Sequence, residues 1–117
     1  MANGKIPTPH AIDLLWQNPN PTASFASQTV AVDLSGYTFV MVVIRQSDTA
    51  GYEVSTIIPN VVWTSGRALT IANYRQLRAF QIVSTGVLFK DGEEGAPTGN
   101  IAVNNARAIP VFIYGIK

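Results

Sequence analysis

Cysteine is absent from the 117 residues, so neither disulfide staples nor thiolate metal ligands are available. There is one histidine, His10, in the Pro-rich opening Ile6-Pro7-Thr8-Pro9-His10. A Ser-His-Asp or Cys-His mechanism would have to use it, and such a base needs a third group to hold it rigidly. His10 therefore reads as a solvated residue of an arm, and a zinc site with three or four His or Cys ligands is excluded. Charge is scarce as well: Asp, Glu, Lys and Arg make up 13% of the chain and sum to +1, against a usual charged share of roughly 25%. A near-neutral chain has no concentrated positive field to capture nucleic acid and no polybasic patch for a membrane surface. The longest apolar run, Phe39 to Ile44, is far too short to cross a bilayer. The opening residues also lack the apolar core of a signal peptide, so export by the usual route is not expected.

Ser, Thr, Asn, Gln and Gly replace the missing charges. A surface so poor in charge tends to self-associate, which points to a homo-oligomer. The length gives one domain with a real core. Residues 1–10 are expected to form an N-terminal arm and residues 11–117 a single β-sandwich domain.

The apolar pattern has a period of two. Ile12, Leu14 and Trp16 begin a first strand, and Trp16, in register with the other two, belongs to the core. The prolines of Gln17-Asn18-Pro19-Asn20-Pro21 end it. Val30, Val32 and Leu34 alternate with Thr29, Ala31 and Asp33 as a half-buried strand. Phe39-Val40-Met41-Val42-Val43-Ile44 has no polar face and predicts a central strand covered on both sides. Tyr52, Val54, Thr56 and Ile58 alternate again. Val61–Trp63 and Ala68–Ile71 form a short pair, and Arg78–Val83 and Val87–Phe89 flank Ser84-Thr85-Gly86 as a hairpin with a left-handed glycine. The turn formers of Asp91-Gly92-Glu93-Glu94-Gly95 mark Lys90–Ala108 as a long irregular stretch, interrupted by Ile101-Ala102-Val103. Ile109 to Ile116 is almost wholly apolar and must dock in a sheet, with Tyr114 packed. About eight short strands at roughly ten-residue spacing, without an amphipathic helix, predict an all-β fold: an antiparallel, jelly-roll-like β-sandwich.

Several phrases occur together: Leu15-Trp16-Gln17-Asn18-Pro19-Asn20-Pro21-Thr22, Phe25-Ala26-Ser27-Gln28-Thr29, Asp33-Leu34-Ser35-Gly36-Tyr37, Phe80-Gln81-Ile82-Val83-Ser84-Thr85-Gly86-Val87, and Asn104-Asn105 with Ile109-Pro110 and Ile113-Tyr114-Gly115-Ile116-Lys117. In this order they resemble small structural or tail-associated proteins of tailed phages and prophages of gut Firmicutes. The resemblance spans nearly the whole chain except Ser47–Tyr74. It implies a virion component near the tail tip or fibre, made in the bacterial cytoplasm, assembled as a trimer or larger ring beside other tail proteins. It brings no catalytic residues.

The remaining candidates are few. Trp63, Tyr52 and Tyr74 are the candidate ligand-binding residues, offering aromatic faces on which sugar rings could stack. Asp91, Glu93 and Glu94 form one acidic cluster, whose spacing matches no calcium loop and whose place on one stretch does not oppose two carboxyls across a sugar. They read as a solvated hairpin tip, with no metal and no cofactor. Arg67, Arg75, Arg78 and Arg107 are half of the eight basic residues and suit a subunit interface better than nucleic acid. The loops Gln17–Ser27, Arg45–Gly51 and Lys90–Ala108 are expected at one end, free to touch a partner. The leading expectation is thus a non-enzymatic phage structural protein with a role in host attachment. The alternatives are a carbohydrate-binding module reading host surface glycans and a small phage effector that sequesters a host molecule.

Overall fold

The computed structural model describes residues 11–62, 68–73, 75–95 and 100–117. Among them nine strands form two antiparallel sheets, with no helix. Sheet A has the order β1-β9-β3-β4, from β1 (Ile12–Gln17), β3 (Phe39–Ser47), β4 (Glu53–Pro59) and β9 (Arg107–Ile116). Sheet B has the order β2-β7-β6-β5, from β2 (Gln28–Ala31), β5 (Ala68–Asn73), β6 (Gln76–Val83) and β7 (Gly86–Gly95), and β8 (Ile101–Val103) pairs with the far end of β7. The long-range pairings β1–β9 and β2–β7 enclose the local hairpins of an antiparallel β-sandwich.

The two inner faces make one core. Val40, Val42, Ile44, Ile58 and Ile113 of sheet A meet Val30, Phe80, Ile82, Val87 and Phe89 of sheet B, and Phe25 and Leu34 close it from the loops. Trp16 packs against this cluster, but not on a face shared with Ile12 and Leu14: a bulge between Leu14 and Trp16 turns it inward while those two face out. Its ring centroid is 6.1 Å from Phe25 and 6.4 Å from Phe89, and Phe25 meets Phe89 edge-on at 5.8 Å. Such aromatic pairs contribute about 0.5–1.5 kcal/mol each beyond the area they bury.

Ile109–Ile116 is docked as its composition demands, between β1 and β3. Pro110 lies inside this central strand because the β3–β9 register slips between Val43 and Ile44, where the missing amide costs no ladder bond. Asn18 reinforces the slip, its side-chain amide donating to the Pro110 carbonyl at 2.8 Å and its backbone N–H to the Val111 carbonyl at 2.8 Å. The β6–β7 hairpin turns on Ser84 and Thr85, and Gly86 opens β7 at φ +147°, where a side chain would collide with the backbone of Val30 and Val32.

Three sequence expectations are corrected. The stretch Lys90–Ala108 is mostly strand, since β7 runs through Asp91-Gly92-Glu93-Glu94 to Gly95 and pairs with β6 and then β8. Pairing on both edges outweighs the turn propensity of those residues. The loop Gln17–Ser27 is anchored, with Asn18 and Phe25 buried and the Phe25 N–H bonded to the Asn105 carbonyl at 2.9 Å. And Arg78 is no interface residue, because it is fully buried between the sheets.

Among the described residues no carboxylate bonds the Arg78 guanidinium directly. Four backbone carbonyls receive it instead: Ala108 at 2.6 Å, Lys90 at 2.7 Å, Phe25 at 2.9 Å and Arg107 at 3.0 Å. It also lies 5.5 Å from the Phe25 ring centre. Burial pulls its pKa down to about 10, with the Asp91 charge opposing, so it stays cationic at neutral pH. Ala108 takes a left-handed φ of +49°, within the segment whose consecutive carbonyls, Arg107 and Ala108, both accept from this one side chain. Gly92 has to be glycine for the same cluster: a Cβ there would sit 2.5 Å from the Arg107 carbonyl and 2.6 Å from that of Asn104.

Candidate functional site

The most distinctive surface is the outer face of sheet A. Strand alternation assigns fourteen side chains to it: Ile12, Leu14 and Gln17 of β1, Phe112, Tyr114 and Ile116 of β9, Phe39, Met41, Val43 and Arg45 of β3, and Glu53, Ser55, Ile57 and Pro59 of β4. Ten of these are apolar. The register aligns them in rows, Ile12-Ile116-Phe39-Pro59 and then Leu14-Tyr114-Met41-Ile57, followed by the mixed row Gln17-Phe112-Val43-Ser55 and the charged pair Arg45 and Glu53 at one end. Phe112 and Tyr114 touch side by side, 5.8 Å between ring centres.

No second layer of the chain covers this face among the described residues. Ile12 is 59% exposed, Ile57 55%, Leu14 50% and Phe39 42%. The prediction that Phe39–Ile44 is covered on both sides is therefore corrected: Val40, Val42 and Ile44 are buried, whereas Met41 and Val43 look outward. Tyr114 likewise lies half-buried on the open face and not in the core. The face is uneven. Met41, Val43, Glu53, Ser55, Phe112 and Tyr114 surround a hollow of about 320 Å³, and Phe39 and Ile57 stand beside it. The outer face of sheet B is of different character, with polar Thr29 and Gln81 flanking Leu88.

Of the three candidate ligand-binding aromatics, Tyr52 is 74% exposed in the β3–β4 turn, beside Glu53 at the polar end of the open face. Its carbonyl accepts from the Gln46 N–H at 2.8 Å, which fixes the turn while leaving the ring free. Trp63 and Tyr74 lie outside the described residues, as do His10, Arg67 and the arm 1–10.

The acidic cluster is occupied by the protein itself. Asp91 accepts from the Ser27 N–H at 3.0 Å and from the Asn105 amide at 3.2 Å, and these bonds hold its carboxyl below the ordinary range. Glu94 accepts from Arg107 at 2.9 Å and Asn104 at 3.1 Å, and Arg107 above all lowers its pKa. No group of three or more His, Cys, Asp or Glu side chains converges as a metal site among the described residues. These bonds, with the Asp48 N–H on the Ala106 carbonyl at 3.0 Å, stitch the three expected loops together at one end of the sandwich. A second hollow of about 260 Å³ lies over Val32, Asp33, Asn60, Val62 and Ser84. Its polar groups are used locally: Asp33 accepts from both the N–H and the hydroxyl of Ser35, which lowers its pKa, and the Asn60 amide donates to the carbonyls of Leu34 and Tyr37.

The open face escaped the sequence reading because it is assembled from four distant segments. Its one signal was the unbroken apolar character of Phe39–Ile44 and Ile109–Ile116, which fits a covered strand and an uncovered one equally. Comparison with protein-family models, with curated proteins and with solved structures gives no match.

Proposed function

We propose that the chain is a non-enzymatic structural protein of a phage particle, a homo-oligomeric β-domain associated with the tail or its fibres that takes part in attachment to the host. The observation that carries this reading is the open face of sheet A. Val61, Val62, Ile101 and Val103 are exposed elsewhere, but here ten apolar side chains stand in register on one continuous surface. Isolated exposed apolar residues need no explanation, whereas a contiguous patch of this kind marks a surface that another protein covers. The resemblance of the ordered sequence phrases to phage tail-associated proteins supplies the setting, and the chain's low charge agrees with a component surrounded by other subunits. Mass spectrometry of purified virions from a host carrying the gene tests the reading. The protein should appear in stoichiometric amounts with the tail proteins, and its absence from washed particles overturns the proposal.

The exposed Tyr52 favours one second reading, recognition of host surface glycans at the polar end of the sandwich. Aromatic rings suit sugar faces at such edges. Calorimetric titration with cell-wall glycan fractions should give binding that Tyr52→Ala removes; no heat with any fraction dismisses this reading and leaves the first intact.

A further inference from the structure

We infer that the open face of sheet A is covered by the same face of a second copy of this chain, the two related by a two-fold axis. The inference rests on the assembly reading above and specifies its contact. Four strands spaced about 4.8 Å apart and some seven residues long at about 3.4 Å each give a face of roughly 450 Å² in projection. Side-chain relief enlarges that area towards the lower end of the roughly 600–1,000 Å² per partner of a stable complex.

The face is complementary to itself. An axis lying in the interface and running along the row Leu14-Tyr114-Met41-Ile57 sets each strand antiparallel over its own copy. Rows on either side of the axis then exchange. Phe39 of one copy falls over Val43 of the other, and Pro59 over Ser55, which places the protruding first row in the 320 Å³ hollow. A void of about 150 Å³ already holds a benzene ring, so the hollow accepts a phenylalanine. Knob and hole on one surface are what an isologous contact requires.

Other occupants fit less well. The rim carries Glu53 as well as Arg45, whose Nε is engaged by the Ser47 carbonyl at 2.8 Å, so nothing draws an anionic bilayer to it. The first two rows carry a single hydroxyl, that of Tyr114, which is too few partners to hold a sugar ring by its hydroxyls. Face-to-face sheets about 10 Å apart, with side chains interdigitated, are the packing this chain already uses inside.

The test uses light scattering and single introduced thiols, which are unique in a cysteine-free chain. The wild-type protein should have twice its 12.6 kDa mass. Ile57→Glu should weaken association at least about a hundredfold, since it places a charge in an apolar contact, while Thr29→Glu on sheet B should leave it unchanged. Met41→Cys, next to the axis, should be joined into a dimer by a short bifunctional thiol reagent, and Thr29→Cys should not. Association that survives Ile57→Glu, or cross-linking of Thr29→Cys but not of Met41→Cys, overturns this face while leaving self-assembly standing. A wild-type monomer up to ~100 μM, far above the Kd of a specific complex, overturns the second copy as occupant. Virion mass spectrometry answers the phage reading separately.

Discussion

Replacing Arg78 removes a side chain that ties both sheets and the Gln17–Ser27 loop together. In Arg78→Met the carbonyls of Phe25, Lys90, Arg107 and Ala108 lose their donors at once. A buried acceptor left without a partner costs about 1–3 kcal/mol. Water can reach some of the four, and the variant no longer has to desolvate a guanidinium. The net loss is expected at about 3–5 kcal/mol, the sum for two or three buried carbonyls left without a donor. That is a large part of the roughly 5–15 kcal/mol that holds a domain folded. Arg78→Lys keeps the charge but not the planar fork, and three ammonium donors cannot serve four carbonyls arranged for a guanidinium, so it should fall between wild type and Arg78→Met. Urea unfolding followed by tryptophan fluorescence suits the question, because Trp16 packs on Phe25 and Phe89 beside this network. A stability for Arg78→Met within about 1 kcal/mol of wild type, at unchanged slope, would refute the reasoning: it would mean that the four carbonyls find other partners without strain.

Gly92→Ala should cost about 1–3 kcal/mol by overpacking, because the new methyl meets the backbone carbonyls of Arg107 and Asn104; a thermal midpoint equal to wild type contradicts that contact. Ala108→Gly should leave stability unchanged or raise it by about 1 kcal/mol, against the usual direction of that substitution, since glycine relieves the φ of +49°; a clear loss in urea shows that no strain was held there. Stability should also depend on acid. Asp91 and Glu94 have folded pKa values below their ordinary 3.8 and 4.5, so the folded chain binds fewer protons than the unfolded one in that interval. Their contribution is complete above those ordinary values and is lost as pH falls through the depressed ones. Melting temperatures should therefore hold steady down to about pH 5 and drop below it, with a shallower drop in Asp91→Asn; an acid limb identical in the two proteins excludes Asp91 from it.

The sequence exposed the framework of the fold more readily than its surface. Alternation in Val54–Ile58 placed a strand and its covered face, because period two reports on the backbone and on one covered face together. In Ile12–Trp16 it placed the strand but not the faces, since the bulge between Leu14 and Trp16 turns Trp16 inward and leaves Ile12 and Leu14 exposed. The Asp-Gly-Glu-Glu-Gly run misled, since local turn chemistry carries no information about the partners β6 and β8 that hold it extended. Arg78 misled in the opposite way. Nothing local distinguishes an arginine aimed at four carbonyls from one aimed at solvent, as those carbonyls come from three distant segments. The apolar face has the same origin: Leu14, Met41, Ile57 and Tyr114 form a row only through register across four strands.

The central claim, that this face is covered in the working protein, can be read at a single atom. The chain has two methionines, Met1 and Met41, and the Met41 side chain lies at the centre of the face. Peroxide oxidation followed by peptide mass spectrometry should find Met41 protected in the assembled protein and oxidised at least about tenfold faster in Leu14→Asp, which opens the face. Met41 oxidised equally fast in both would show that the face stands open to solvent and would contradict the account.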